Sequence, residues 1–342
     1  MKDKSVSLSK KVHHGIVLDV SQNGFDRGSV DFGSIFVNGD DPSVMFLFYC
    51  GTLDAEWSRS TIGLAVSNGG FKFRRTSDSP ILEGDSDSFC HRQAFTPAVT
   101  RVGNRFYMVF SGSRCSDKPR RIGIAYADDP KGPWRIIGEI LKPTHLWEGV
   151  HLDNGPTLVK LDETTFLIFY SNITTPHNLD IFARLRRYPI RRIGIAKIRI
   201  RGPSLSQIEV NKLSTPLKHL NGARGNWNES VFCPGYFQVN ETRCLVPAAS
   251  TYSVGFPYKQ YIGIVTSNSP FFNRSQTRIK KLIDGPSEKS QIIPSIKSEI
   301  ALDSPSPLII KGKGKLFLYY SVADRVDYVW KIALTTFDLP DT

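Results

Sequence analysis

Three acidic residues stand at or just before short apolar segments and are the first candidates for chemistry. Asp31 lies within 28–34, Asp153 lies within 151–156, and Glu229 precedes another apolar segment. Two carboxyl groups held close together can give a proton to a reacting bond and take one from it. The three residues are far apart in the sequence, so the fold would have to bring them together.

A repeat along the chain supplies elements that could position these acids. The signature Ile-Gly-Ile-Ala, with small variations, occurs at 62–65, 122–125, 193–196 and 262–265, and a degenerate copy occupies 330–333. An aromatic-rich segment precedes each copy, and a turn and a shorter apolar segment come before it. β-Branched and aromatic residues dominate, and no long stretch has helical periodicity. Each repeat is therefore predicted to form four antiparallel strands.

Four-stranded units repeated around an axis form a β-propeller, in which each sheet buries both faces against its neighbours. We therefore predict an all-β fold, a single domain of five blades, each a four-stranded antiparallel sheet. The last repeat ends on its third strand, so an N-terminal strand near 12–20 is predicted to close the ring. Two unrelated β-sandwich domains are the alternative. The predicted blades span 25–85, 86–145, 146–215, 216–285 and 286–342.

Composition and charge narrow the class of protein. The 342 residues include 44 Lys and Arg against 32 Asp and Glu, and the net charge of +12 predicts an anionic partner. The sequence shows no signal-peptide pattern and no apolar run of membrane-spanning length, so we expect a cytoplasmic protein. Five scattered cysteines without a Cys-x-x-Cys pair predict neither a disulfide framework nor a zinc site. No cofactor or metal is predicted.

The second repeat carries the most specific pattern. Pro-Ala-Val at 97–99 leads through an aromatic strand at 105–111 to Gly-Ile-Ala at 123–125, and Asp-Pro-Lys-Gly-Pro-Trp follows at 129–134. On this pattern and the five repeats, the whole chain resembles the five-bladed propeller glycosidases of glycoside hydrolase families 43, 32, 117 and 130. The resemblance implies a funnel at the propeller axis, with carboxylates at the start of the first strand of different blades.

The resemblance also implies roles for the acids. Asp31 matches the aspartate of the first blade and would be the base or nucleophile, while a second carboxyl group would protonate the departing glycosidic oxygen. Related enzymes often carry Glu-Gly-Pro in the third blade, but Asn154 stands in place of that glutamate here. Glu229 is therefore our first candidate for the acid and Asp153 the second. Asp153 would face away from Asn154 unless a bulge redirects it.

Other residues near the implied funnel are candidates for substrate binding. His91 and Arg92 stand where related enzymes often carry an aspartate, and they could hold an anionic group or pair with an aspartate of the site. Trp147 and Trp227 could stack on a sugar or pack at a blade edge. Asp303 is a further nearby acid. The predicted substrate-binding residues are His91, Arg92, Arg114, Trp147, Glu148, His151, Asn154, Trp227 and Glu299.

Basic residues concentrate in the loops that join the second and third strands, which the propeller topology places on the active face. These loops, 51–61, 112–121, 171–192, 250–261 and 321–329, contain twelve Lys or Arg and six Asp or Glu. The longest contains five arginines and is predicted to be a lid or a partner surface. Solvated charge without a specific ligand is the alternative.

We therefore expect a carbohydrate-active enzyme, a glycoside hydrolase that cleaves an oligosaccharide or glycoconjugate with an anionic group. A phosphorylase or transglycosylase is the close alternative, and in a phosphorylase His91, Arg92 and Arg114 would hold phosphate. A non-catalytic propeller that binds a glycan or a nucleotide sugar is the alternative from another class. Nucleic-acid binding is not expected, because the arginines are not interleaved with stacking aromatics. The sequence predicts no oligomeric state.

Overall fold

Strands dominate the molecule, as its β-branched and aromatic content predicts. The computed structural model describes residues 6–37, 43–54, 57–114, 119–173, 190–213, 215–252, 258–274, 277–296, 298–310 and 313–340. In these ranges the chain forms twenty β-strands, three short 3₁₀ turns and one α-helix, α1 (Gly285–Ile292). The predicted all-β class is confirmed. No helix in these ranges has the length and apolar character needed to cross a membrane.

Three sheets have four strands each, and a fourth sheet has eight. The eight-stranded sheet consists of two antiparallel units joined by one parallel pair, Ser60 with Gln93. Unit 1 contains β2 (Ser29–Val37), β3 (Met45–Thr52), β4 (Ser60–Ser67) and β5 (Arg74–Arg75). Unit 2 contains β6 (Gln93–Val102), β7 (Arg105–Ser113), β8 (Arg121–Ala127) and β9 (Arg135–Leu141).

The other three sheets form units 3 to 5. Unit 3 contains β10 (His151–Lys160), β11 (Thr165–Ile173), β12 (Ile193–Ile200) and β13 (Ile208–Lys212). Unit 4 contains β14 (Ser230–Val239), β15 (Thr242–Ser250), β16 (Gln260–Ser267) and β17 (Arg278–Asp284). Unit 5 contains β18 (Ile300–Ile310), β19 (Lys315–Asp324), β20 (Trp330–Asp338) and, from the N-terminal region, β1 (Ser9–Leu18).

The strand β1 is held in unit 5 by main-chain and side-chain contacts. It pairs antiparallel with β20, and Leu18 lies opposite Ile332. His13 Nδ1 lies 2.8 Å from Thr335 Oγ1, and His13 Nε2 lies 3.0 Å from Glu288 Oε2 on α1. The two ends of the described chain are therefore joined in one sheet.

The repeated glycine of the Ile-Gly-Ile-Ala signature lies against an aromatic ring from the segment before the first strand of its unit. The pairs are Phe25 with Gly63, Phe89 with Gly123, Trp147 with Gly194 and Trp227 with Gly263. A Cβ atom at Gly194 would lie 2.6 Å from Trp147 Cη2 and 2.5 Å from Tyr170 Cζ, too close for any side chain. The glycine therefore recurs because a Cβ atom there would meet the ring, at 2.1–2.6 Å in the first three copies and at 3.1 Å at Gly263.

The first strands of the units surround a common centre. They contact one another in the cyclic order β2, β6, β10, β14, β18 and back to β2. Between units, apolar side chains of the second strands form the core, as where Leu47 and Tyr49 pack in one cluster with Phe317 and Tyr319. Side chains near the start of each first strand can therefore meet at the centre of the ring.

Candidate active site

Each first strand is interrupted near its start. The pairing of β2 with β3 shifts between Asp31 and Ser34, and β6, β10, β14 and β18 have shifts at corresponding places. Four residues at these shifts have φ between 44° and 50°: Phe32, Thr96, Cys233 and Ser304. Positive φ in a residue other than glycine is uncommon and is found often at functional sites. A bulge of this kind redirects the neighbouring side chains.

One register position beside these bulges alternates between an acid and an aromatic residue. In units 1 to 5 the residues at this position are Asp31, Phe95, Asp153, Phe232 and Asp303. Their partners on the second strand of the same unit are, in the same order, Cys50, Ser111, Ser171, Ala248 and Ser321. All five are between 0% and 7% exposed. Units 1, 3 and 5 therefore contribute aspartates to the ring of first strands, and units 2 and 4 contribute phenylalanines.

Asp31 is the acid of unit 1 and is almost completely buried. Its Oδ1 accepts a hydrogen bond of 2.6 Å from the Phe32 N–H, which also donates to Ser321 Oγ at 3.0 Å. Burial and the nearby charge of Asp303 raise the pKa of Asp31 to about 8. At neutral pH this carboxyl group holds a proton that it can donate.

Asp303 contributes the acid of unit 5. Ser304 donates to Asp303 Oδ1 from its N–H at 2.6 Å and from its Oγ at 3.1 Å. Burial raises the pKa of Asp303, while the charge of Arg191 and the bonds from Ser304 act in the opposite direction. Because two ionised carboxylates repel each other here, Asp31 and Asp303 together retain a proton near neutral pH.

Asp153, the acid of unit 3, has a cation as its neighbour. Arg120 Nη1 lies 3.3 Å from Asp153 Oδ1 and 3.4 Å from Oδ2, and its guanidinium lies 4.7 Å from the centroid of the Phe95 ring. An arginine in this position stabilises a carboxylate. The Arg120 N–H donates to His151 Nδ1, and burial together with the charge of Arg120 lowers the pKa of His151. His151 is therefore neutral beside the ion pair.

Aromatic side chains form a wall beside the ring positions of the aspartates. Phe32, Phe95, Phe232 and Tyr252 belong to one buried cluster, and Trp57 and Tyr258 pack against it. Such a wall can lie against the apolar face of a sugar, and it strengthens electrostatic interactions by excluding water. In the described residues, no group of His, Cys, Asp and Glu side chains has an arrangement that could hold a metal ion.

The two glutamates predicted near the site are engaged by structural contacts. Glu229 Oε2 accepts from the N–H groups of Gly225 at 3.0 Å and Tyr252 at 3.2 Å, which ties the segment before β14 to the segment after β15. Glu148 is fully buried and accepts from Tyr170 Oη and Lys212 Nζ, both at 2.7 Å. Although burial opposes the change, hydrogen bonds from Lys212 and the backbone lower the pKa of Glu148. These contacts favour structural roles for both.

The predicted tryptophans pack within their units. Trp147 is half-buried and stacks on Tyr170, with ring centroids 5.9 Å apart. Trp227 meets the ring of Tyr261 edge to face at 6.0 Å. With the signature glycines beneath them, both rings occupy the edge-packing position that the sequence offered as the alternative to sugar stacking.

The remaining predicted residues are not gathered with the aspartates by any described contact. Arg92 and Arg114 are exposed, and Arg114 Nη2 donates to the carbonyl of Ser86 at 3.3 Å. His91 is partly buried and its Nδ1 has no hydrogen-bond partner. Glu299 is exposed and pairs with Arg325 at 3.1 Å. The side chain of Asn154 and the loop segment 174–189 with its three arginines lie outside the described residues.

The structure adds Arg120 and Arg191 to the predicted residues Asp31 and Asp153, and it places Asp303, named from the sequence only as a further nearby acid, at the same ring position as these two aspartates. A sequence signal for Asp303 exists, because the residue two places after each ring position is a glycine or a proline: Gly33, Pro97, Gly155, Pro234 and Pro305. When the fifth repeat is aligned on Pro307 rather than on Pro305, Asp303 no longer falls at the ring position. Arg120 and Arg191 share a signal too, since each stands two residues before the isoleucine that opens the repeated signature.

Comparison with known proteins decides the fold. No protein-family model and no curated protein matches the sequence. The solved BT0996 RGII complex has a similar structure, with a TM-score of 0.69 at 12% identity over 96% of this protein and 92% of the matched one. The chain has a β-propeller fold.

Further solved glycoside hydrolases share this propeller. Zg3597, a family 117 glycoside hydrolase from the marine bacterium Zobellia galactanivorans, has a TM-score of 0.61 at 12% identity over 96% of this protein and 90% of the matched one. The endo-arabinase from Bacteroides thetaiotaomicron has a TM-score of 0.58 at 12% identity over 95% and 98%. The structural resemblance to propeller glycosidases of families 43 and 117 is confirmed.

Proposed function

We propose that the protein is a glycoside hydrolase whose active site contains the three buried aspartates Asp31, Asp153 and Asp303. The observation that carries the proposal is the environment of Asp31, a buried acid that retains its proton at neutral pH beside a second acid. The aromatic wall around these residues and the propeller fold shared with glycoside hydrolases support it. The substrate is a glycan, and an anionic group on it agrees with the basic character of the chain.

The architecture that we propose around this site is a single domain of five blades. Each of the five units is one four-stranded blade, and β1 closes the ring with β20. The cyclic contacts of the first strands support five blades around one axis. The pairing of β1 with β20 supports a closure that joins the two ends of the chain.

In this proposal the two working carboxyl groups differ because their neighbours differ. Asp31 donates its proton to the glycosidic oxygen as the bond from that oxygen to the anomeric carbon breaks. Asp153, the ion-pair partner of Arg120, accepts a proton from the attacking water or attacks the anomeric carbon itself. This gives Asp31 the acid role, in place of the base or nucleophile role predicted from the sequence.

Hydrolysis assays on a panel of aryl glycosides and polysaccharides test the proposal. Arabinan belongs in the panel because a structural neighbour is an endo-arabinase. The wild-type protein is expected to cleave at least one substrate, and Asp31→Asn is expected to lower kcat/KM by about 10²- to 10⁴-fold. Glu163→Gln changes an exposed acid at the surface, paired with Lys160, and serves as the control with near wild-type activity.

The same assays separate the alternatives. Release of a sugar phosphate only when inorganic phosphate is present would identify a phosphorylase. Binding of glycans without turnover of any member of the panel would identify a non-catalytic propeller and contradict the hydrolase proposal. Full activity of Asp31→Asn would contradict the site.

A further inference from the structure

Arg191 is a cation beside the proposed site that forms no ion pair within the described residues. It precedes β12, and its guanidinium carbon lies 4.5 Å from the centroid of the Phe232 ring. Its Nε is enclosed and has no hydrogen-bond partner, and no hydrogen bond from its guanidinium occurs in the described part of the chain. The main chain is fixed, because the Arg191 N–H donates to Ser230 Oγ at 2.7 Å and its carbonyl accepts from Asn221 Nδ2 at 2.9 Å.

The aspartates of the site influence Arg191 without pairing with it. Burial disfavours its charge, but the nearby groups, among them Tyr252, Asp303 and Asp153, raise the pKa of Arg191 above its ordinary value. Neither aspartate lies within ion-pair distance of the guanidinium. The partly buried guanidinium therefore carries five N–H donors in a planar fork, and it has no hydrogen-bond acceptor among the described residues.

The equivalent residue in unit 2 shows what such a guanidinium binds. Arg120 occupies the same place before the repeated signature and also stacks on a phenylalanine of the ring, Phe95. Arg120 is paired with the carboxylate of Asp153, which the next unit supplies. The unit after Arg191 supplies Phe232 at that position, so Arg191 stacks on a ring where Arg120 meets a carboxylate.

We propose that Arg191 binds the carboxylate of a uronic acid in the substrate. This inference rests on the proposed hydrolase and names its substrate class, glycans that contain a uronic acid. The fork of N–H donors suits a planar carboxylate, and the enclosed Nε has no acceptor among the described residues. Because Asp31 and Asp303 share a proton, the three aspartates and two arginines are together close to neutral. A carboxylated sugar is therefore not repelled.

Titration calorimetry on the full chain tests the inference. Galacturonate and glucuronate are compared with galactose and glucose at low salt. The wild-type protein is expected to bind one uronate roughly ten- to a hundredfold more tightly than its neutral counterpart. Arg191→Met is expected to abolish this preference for the uronate and to leave the affinity for the neutral sugar unchanged. Arg191→Lys keeps the positive charge but lacks the planar set of N–H donors, and it is expected to retain part of the preference for the uronate.

Arg121→Met is the matched control, because Arg121 lies beside Arg120 but pairs with the partly exposed Glu139 at 3.6 Å. It should keep the full uronate preference. An unchanged ratio in Arg191→Met, or tighter binding of galactose 6-sulfate than of galacturonate, would overturn the inference. Equal cleavage of a neutral glycan by wild type and Arg191→Met, with no uronate preference in either, would overturn it while the hydrolase stands. No binding or cleavage of any glycan would remove the proposed function too.

Discussion

Arg120 and Arg191 occupy equivalent places in successive units but have different surroundings. Each lies over a phenylalanine of the ring of first strands, at 4.7 Å for Arg120 and 4.5 Å for Arg191. Arg120 meets the carboxylate of Asp153, because unit 3 carries an acid at the ring position. Arg191 meets Phe232, because unit 4 carries an aromatic residue there. Both arginines therefore have Asp153 at a neighbouring ring position, but among the described residues only Arg120 pairs with it.

The largest expected effect on stability comes from removing the paired cation. Arg120→Met leaves the buried carboxylate of Asp153 without its partner, which should lower the free energy of unfolding by roughly 3 kcal/mol. Urea unfolding at pH 7 measures the change. A loss below about 1 kcal/mol would show that Asp153 does not depend on Arg120.

A smaller loss is expected when the carboxylate is removed and the cation kept. In Asp153→Asn the site loses a charge-assisted hydrogen bond, worth about 1.5–3 kcal/mol, but gains no unpaired buried carboxylate. Arg120 is also partly exposed and can be solvated. The same urea experiment should therefore rank Asp153→Asn above Arg120→Met in stability, and the reverse order would contradict the comparison.

The pH dependence of stability tests Asp31, whose pKa is raised by burial and by the nearby charge of Asp303. Its pKa is about 8 in the folded protein and near 4 when unfolded, so between these values the folded state binds more protons. The contribution of Asp31 to stability is complete below pH 4 and is lost as the pH rises through 8, with a slope of up to about 1.4 kcal/mol per pH unit. Urea midpoints from pH 5 to 8 should fall less steeply in Asp31→Asn than in the wild type. Parallel curves would contradict the raised pKa.

The smallest effect is expected at the unpaired cation. Arg191→Met removes a guanidinium that has no hydrogen bond to lose and keeps an unbranched side chain over Phe232. The free energy of unfolding should change by less than about 1 kcal/mol in either direction. Thermal unfolding without ligand measures it, and a loss as large as that of Arg120→Met would show that Arg191 already has a structural partner.

The fold could be predicted because each of its units repeats a short sequence pattern. Each unit repeats a glycine under an aromatic ring, as Gly194 lies under Trp147, and this requirement recurs at every copy that keeps the signature. The incomplete last repeat also pointed to a strand from the N-terminal region, and β1 occupies that place beside β20. Contacts within one unit therefore require similar residue types at a similar spacing in each repeat, and this repetition is visible in the sequence.

The site was only partly predictable because its chemistry lies between units. Asp31 and Asp153 could be found from their places in the repeat, whereas the pairing of Arg120 with Asp153 depends on how two units meet. Glu229 was the preferred acid by residue type, yet backbone N–H groups that only the folded loop brings together engage its carboxylate. Neither the ion pair between units nor the backbone hydrogen bonds to Glu229 can be predicted from neighbouring residues in the sequence.

The most direct test of the proposed mechanism is the pH dependence of kcat/KM for a glycan that the wild-type protein cleaves. With Asp31 as the proton donor, kcat/KM should fall above about pH 8, where Asp31 ionises, and Asp31→Asn should be at least about 100-fold less active across the range. An activity that instead rises as the pH passes through 8 would make the ionised form of Asp31 the working one and contradict its role as the acid.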